Sequence, residues 1–509
     1  MEGRNVYWGD FHTHLSDIDL GDDILKAACD NIDFYAVLCY PFIDYDWHGL
    51  RVETVQQKPE FLEWWKVHHR LAADYYTPGK FTTFLGYEWH GNRTRWGDHN
   101  VIYRDGVGEL DDTWDLAELY ARLRGKAAFA IPHHTAYYTG WRGKDWDVHD
   151  ATLSPVMEMI SIHGCSECAD SPRELVKNVS MGPRTGGGSF QDALARGIRI
   201  GVIGSNDGTR LPGRWNEGRA AVWATDCTRE AIFDAIAERK TYAVTGDRIL
   251  LDFNVAGIPM GGEGKGAGPV EADVSVVGSH AVDRIELIHN NIVADTYCHG
   301  GRWERDTAAT RWKFRFVAGW GPSVNYGFDP STTWPWDCTL EIEGGDLTGV
   351  EKCFSKIYQK VSRVEPHRCE WHLETASRNP PKPHGMTQGL VFEIDGPPET
   401  RLHIEAEGQT IGVGIGELMR GAKLYPMLEE SRKRCADTFG IDPDEIENPD
   451  RYFHNARKIK LHRAVPESAW KVKHTFGDLQ LEPGANWFYV RVTQTNGQMA
   501  WSSPVWIDA

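Results

Sequence analysis

Two histidines two positions apart, His12 and His14, end a short apolar run at Val6 to Phe11. On an extended strand, side chains at i and i+2 share a face, so both imidazoles can reach one cation. Comparable chemistry recurs through the first half of the chain. Glu88 lies in Gly86-Tyr87-Glu88-Trp89-His90, and His99 in Gly97-Asp98-His99-Asn100. His133 and His134 close Ile131-Pro132-His133-His134, His163 closes Ser161-Ile162-His163, and Asp207 closes Gly204-Ser205-Asn206-Asp207. A set of imidazoles and carboxylates with no obligate thiolate suits Zn, Mn or Fe. A carboxylate on its own strand can bridge two ions about 3.5–4 Å apart, and a water held between them is acidified into a nucleophile.

These residues need strands that deliver them to one place. β-rich apolar runs at Val6 to Phe11, Phe34 to Leu38, Phe81 to Gly86, Ala127 to Ile131, Val156 to Ile162 and Ile198 to Ile203 read as buried strands. Helical patterns at Asp22 to Asn31, Pro59 to Tyr75, Leu116 to Arg124, Phe190 to Arg196 and Thr228 to Arg239 alternate with them. Such alternation predicts a parallel α/β sheet, and in a barrel of that kind all strand carboxyl ends share the active face. After Thr245-Gly246-Asp247 the pattern turns to strands at Ile249 to Val255, Val270 to Val277, Arg284 to Ile288, Lys313 to Val317 and Leu390 to Ile394. Leu418 to Phe439 interrupts them with a helical pattern, and Trp487 to Trp506 returns to strands. The expected division is a barrel over residues 1–247 and a β-rich, sandwich-like domain over 248–509, with a helical insertion near 417–457.

The 509 residues carry a formal net charge of -18, which disfavours a nucleic-acid backbone as partner. No apolar stretch is long enough to span a membrane, and no signal-like run precedes the first strand. The 10 cysteines are scattered, and Cys165 and Cys168 form a lone C-x-x-C with no second pair. The expected compartment is the cytoplasm, and the expected partner a small-molecule substrate.

In combination, Gly9-Asp10-Phe11-His12-Thr13-His14, Gly86-Tyr87-Glu88, Ile131-Pro132-His133-His134 and Gly204-Ser205-Asn206-Asp207 resemble the motifs of the polymerase and histidinol phosphatase (PHP) superfamily, in particular its large uncharacterised prokaryotic branch. The resemblance extends through Thr228 to Phe233, Tyr242-Ala243, Ile249 to Asp252 and the closing Gln498 to Pro504. It implies a distorted seven-stranded (β/α) barrel and a metal-dependent phosphoesterase. It also implies a first ion on His12, His14, Glu88 and Asp207, and a second on Glu88, His99 and His133. A third ion would take an acid soon after the first pair, for which Asp19 fits, with Asp17 as rival. Its other ligands depart from the pattern: Cys39-Tyr40 stands where the superfamily has Asp-His, and Gly208-Thr209 follows Asp207 where it has x-His. Two divalent ions are therefore expected rather than three.

Beyond the ligands, His163 and His134 are candidates for proton transfer or support, with Glu167 as a partner for His163, and Glu88 belongs to the catalytic set. Arg184, Arg210, Arg214 and Tyr40 are the expected substrate contacts, since arginine pairs bidentately with phosphate or carboxylate. A phosphoester is the first expectation. A carboxylic ester, carbamate, amide or lactone is the alternative, because two ions suffice there. A metal-containing binding protein is the reading from another class.

Overall fold

The computed structural model describes residues 1, 3–47, 50–55, 59–171, 173–175, 183–208, 211–306, 308–324, 329, 331–377, 386–440 and 450–509. The chain forms two compact units. One comprises Met1–Val277, Asp283–Cys298 and Val472–Ala509; the other comprises Gly278–Val282 and His299–Lys471. This division runs elsewhere than a break at residue 247. Strands after that point, including the three that end the chain, pack with the first unit.

In the first unit the elements follow in the order β1 (Asn5–Asp10), α1 (Gly21–Asn31), β2 (Phe34–Cys39), β3 (Phe42–Trp47), β4 (Leu50–Val55), α2 (Pro59–Asp74), β5 (Thr82–Trp89), α3 (Arg93–Trp96), β6 (Asp98–Tyr103), α4 (Leu116–Leu123) and β7 (Ala128–His133). Then come β8 (Val156–Ser161), β9 (Gly164–Cys165), α5 (Phe190–Ala195), β10 (Gly201–Gly204), β11 (Arg219–Ala224), α6 (Arg229–Ala237) and β12 (Thr241–Val244). Local signals set several boundaries. Asp115 caps α4 by accepting from Ala117, Ser189 and Asp192 form a capping box on α5, and Thr228 caps α6.

A large mixed sheet runs Met499–Ser502, β12, β11, β1, β2, β5, β6, β7. β1 pairs parallel with β2, and β2 with β5, as the alternation of strands and helices predicts. β6 pairs antiparallel with both β5 and β7. Residues 90–97 between β5 and β6 are too few for a parallel crossover, which needs about a dozen. β8 pairs parallel with β10 in a short separate sheet. Gly86 permits β5 to pass between its neighbours: a Cβ there would lie 2.4 Å from the Val101 carbonyl oxygen and 2.6 Å from Leu38. Phe11, Phe34, Leu38, Phe84, Ile102, Phe129, Ile131, Val156, Ile203 and Val222 are buried together in one core beneath the strand ends.

The second unit consists of two antiparallel sheets. One has the order Asp346–Cys353, Thr387–Asp395, Arg311–Gly319, Lys458–Leu461, Lys423–Pro426; the other runs Lys360–Glu365, Arg368–Ala376, Thr333–Glu343, Arg401–Ala406, Gln409–Gly414. Alternate residues Trp336, Cys338, Leu340 and Ile342 are buried, and the Trp371 ring lies 5.2 Å from both Phe316 and Phe392 of the facing sheet. The single helical pattern expected over Leu418 to Phe439 is divided into Ile415–Arg420, a strand at Lys423–Pro426 and a helix at Leu428–Phe439. Gly421 and Pro426 break it.

Candidate metal centre

The end of β1 is tied to the loop after β10 before any ligand is placed. The buried Asp10 carboxylate accepts from the backbone N–H of His12 (2.9 Å), Asn206 (3.2 Å) and Gly213 (2.7 Å) and from the Thr13 hydroxyl (2.7 Å). The His14 N–H donates to the Gly208 carbonyl at 2.8 Å, and the Asp207 N–H to that of His12 at 2.5 Å. His12, His14 and Asp207 are thereby held as one assembly.

Glu88, from β5, stands at its centre. His12 Nε2 lies 3.7 Å from Glu88 Oε2 and 3.4 Å from Asp207 Oδ1. His14 Nε2 contacts the same Glu88 Oε2 and lies 3.8 Å from Asp207 Oδ1. On the other carboxylate oxygen, His133 Nε2 is 3.7 Å from Oε1, and His90 Nε2 contacts it directly. One carboxylate thus faces two groups of imidazoles, the arrangement a bridging ligand needs. His12 Nε2, His14 Nε2, Glu88 Oε2 and both ring nitrogens of His133 are buried and carry no hydrogen bond. Buried polar atoms are normally satisfied, so these atoms suit a divalent cation.

The remaining nitrogen of His12 is engaged. Its Nδ1 lies 2.6 Å from Glu158 Oε2, on β8. Burial alone would lower the His12 imidazole, but Asp207, Glu158 and Glu88 hold it well above its usual range. Burial alone would raise the Glu88 carboxyl, but His90, His14 and His12 hold it well below. His134 (φ 35°) and Asp207 (φ 55°) both adopt left-handed backbone. Such strain in non-glycine residues costs about 1–3 kcal/mol and gathers at functional sites.

Beside the centre, His163 Nε2 lies 2.7 Å from Asp207 Oδ2 and its Nδ1 2.7 Å from the Tyr137 hydroxyl. The His134 ring is 4.6 Å from that of His163, and its Nε2 is 3.5 Å from Asp98 Oδ2. Asp98 is fully buried and receives Arg93 through Nε (3.1 Å) and Nη2 (2.8 Å), and Arg142 through Nε (2.8 Å). Burial opposes its charge, yet Arg142 and Arg93 hold its carboxyl well below the usual range.

The structure therefore brings together His12, His14, Glu88, His133 and Asp207, with His134, His163 and Tyr40 around them. The Tyr40 ring is 4.3 Å from that of His14. His99 is placed differently. The register of β5 and β6 pairs Glu88 with Asn100 and Trp89 with His99. Residues opposite each other in a sheet share a face, so His99 points away from Glu88 and packs on Trp89 and Tyr120. Asp98, one residue earlier, takes the inward face; Glu88, His90 and Asp98 have ligand atoms within 4.8 Å of one another. Asp19 is exposed in a turn at Ile18–Leu20, apart from the cluster. Arg184 is spent on the carbonyls of Cys168 and Ser171 (2.7 Å each), and Arg214 pairs with Glu217 at 3.0 Å. Arg210 lies outside the described residues. Glu167 bonds Tyr489, Arg491 and Trp501 instead of His163.

His90, Asp98 and Glu158 are site residues that the sequence reading left out. Strict alternation from Glu88 would have added His90, and a lone acid inside the apolar run Val156-Met157-Glu158-Met159-Ile160 would have marked Glu158.

A family model described as a protein of unknown function (DUF3604) matches residues 43–173 and 205–260. An uncharacterised protein of Chlamydia pneumoniae is 25% identical over 46% of this chain and 40% of its own length. Another, of Chlamydia muridarum, is 23% identical over 58% of this chain and 49% of its own. The chain thus spans less than half the length of either relative. A solved structure from Bacteroides vulgatus, a two-domain protein containing a predicted PHP-like metal-dependent phosphoesterase, overlaps 58% of this chain and 84% of its own at 13% identity, with a TM-score of 0.32.

Proposed function

We propose that the protein is a metal-dependent hydrolase acting on a phosphoester. The observation that carries the reading is the Glu88 carboxylate set among the buried nitrogens His12 Nε2, His14 Nε2 and those of His133, which carry no hydrogen bond. Two ions fit this donor set. His12, His14, Glu88 and Asp207 would hold the first, and Glu88 and His133, with His90 or Asp98 beside them, the second. When bound, the ions would polarise a phosphoryl oxygen and acidify a water.

The protein's own groups account for the rest. Glu88 keeps the two sets of imidazoles at a common spacing. His163 carries its Nε2 proton against Asp207, within reach of a leaving group beside that carboxylate. His134 lies against His163 and Asp98 and supports both. The same reading takes β8 and β10 as closing a distorted (β/α) barrel between β7 and β12, with nine strands in the ring among the described residues rather than the seven expected. It is supported by the Thr241 hydroxyl to Val202 carbonyl bond (2.8 Å), which joins β12 to β10. No helix among the described residues is long and apolar enough to cross a membrane. The reading takes the substrate as a small molecule and the compartment as the cytoplasm.

A panel of p-nitrophenyl phosphates and carboxylic esters, assayed with added Mn or Zn, tests this function. Phosphate release that disappears in Glu88→Gln is the expected result. Turnover of carboxylic esters alone would move the assignment to carbonyl chemistry. Bound metal without turnover in either series would leave a binding protein.

A further inference from the structure

The turn that follows β7 places an arginine beside the centre and carries two exposed aromatic residues. Tyr138 and Trp141 are 58% and 70% exposed. The turn is well defined: the Trp141 and Gly143 N–H groups both donate to the Tyr138 carbonyl, at 2.8 and 3.1 Å, and the Lys144 N–H to that of Thr135 at 3.0 Å. Gly143 presses so close to the Tyr137 carbonyl oxygen that a Cβ would fall 1.9 Å from it. Between them Arg142 holds a left-handed backbone, φ 86°, which costs energy for a side chain of its size.

The Arg142 guanidinium is anchored on one edge only. Its Nε donates to Asp98 Oδ2 at 2.8 Å, while Nη1 and Nη2 make no hydrogen bond among the described residues, and the side chain is 21% exposed. Asp98 in turn lies within 4.8 Å of a Glu88 carboxylate oxygen. A planar fork with two open donors therefore stands one residue out from the centre, in the same turn as the exposed Tyr138 and Trp141. Bidentate pairing with an oxyanion is the chemistry such a fork performs, and a flat ring beside it stacks on tryptophan.

We infer that Arg142 and Trp141 form a subsite for a second anionic group on the substrate, borne on a planar ring and separate from the ester that reacts. This rests on the hydrolase reading for which group reacts, but the subsite itself does not need turnover. The substrate class is an aryl phosphoester carrying a further carboxylate or phosphate.

Calorimetric titration of the metal-loaded protein with phenylphosphonate, 4-carboxyphenylphosphonate and 1,4-phenylenediphosphonate tests it. The wild type is expected to bind a ligand with the second anionic group about tenfold or more tightly than phenylphosphonate, and the stronger of the two such ligands identifies the oxyanion. Arg142→Gln should bring that ratio close to one, Arg142→Lys should leave it intermediate, and Trp141→Ala should weaken all three ligands together. A wild-type ratio near one, or a ratio unchanged in Arg142→Gln, would overturn the subsite. A ratio that behaves as expected, together with no hydrolysis of 4-carboxyphenyl phosphate, would overturn the hydrolase reading alone.

Discussion

His12 and Glu158 meet through Nδ1 and Oε2 at 2.6 Å, both nearly fully buried. The contact fixes the imidazole with Nε2 turned toward Glu88 and Asp207. The other oxygen of Glu158 accepts the backbone N–H of the strained His134 at 3.4 Å. Partners of this kind orient a ligand and raise its basicity, and their loss typically costs 10–100-fold in metal affinity. Glu158→Ala should lose affinity by about that range, and Glu158→Gln by less, because its amide oxygen can still accept from Nδ1. Competition with a chromogenic chelator measures both; equal affinity in Glu158→Ala and wild type would exclude an orienting role.

The opposed faces of the sheet separate two histidines that look equivalent in sequence: His133, opposite Asp98, and His99, opposite Trp89 and Pro132. His133→Ala should reduce the metal retained after dialysis by about one ion per chain. His99→Gln should retain the wild-type content, since His99 packs against Trp89 and Tyr120. Elemental analysis of the two variants decides the matter, and loss of an ion in His99→Gln would place that side chain in the centre.

Tyr137→Phe removes the hydroxyl that holds His163 Nδ1 at 2.7 Å. Turnover at saturating substrate should fall about tenfold, with KM and metal content close to wild type. A change in KM alone, measured on the same p-nitrophenyl phosphate, would assign Tyr137 to binding.

Lys144 is buried, its ammonium bonded to the Val148 carbonyl at 2.8 Å, and burial brings its pKa down to about 7. An unfolded lysine titrates near 10.4, so between those values the unfolded chain binds the extra proton. This group therefore favours folding fully above about pH 10.4 and loses that contribution as pH falls through about 7. Lys144→Met should show its greatest gain in melting temperature over wild type near pH 6, shrinking toward pH 10. A difference independent of pH, measured by thermal denaturation across that range, would show that Lys144 stays charged in the fold.

Strand positions β1, β2, β5, β7, β8 and β10 were legible because fully buried strands appear as uninterrupted apolar runs. Helices α1, α2, α4, α5 and α6 were legible from their periodicity and caps. The facing of each side chain was not. Whether Asp98 or His99 turns inward depends on the residue at which β6 starts and on its antiparallel register, which is set by the short connection from β5. Glu158 and Asp10 were hidden for a related reason: a carboxylate inside an apolar strand acquires meaning only when its distant partners, His12 and Gly213, are brought to it. The arginines misled because loop position alone cannot distinguish Arg142, with two open donors, from Arg184, consumed by carbonyl groups.

The sheet that carries His12 also contains Met499–Ser502, paired with β12 through Tyr242–Ser502, Ala243–Trp501 and Val244–Ala500. Val244 and Met499 are 255 positions apart (499 − 244). At about 5–20 residues per second, a ribosome needs roughly 13–50 s to pass from one to the other. For that interval β12 is a nascent edge with open N–H and carbonyl groups, the kind of edge that recruits foreign strands. Synthesis thus leaves this edge open to foreign strands until the chain's last segment arrives, and a holdase chaperone acting on the nascent chain would cover it in the meantime.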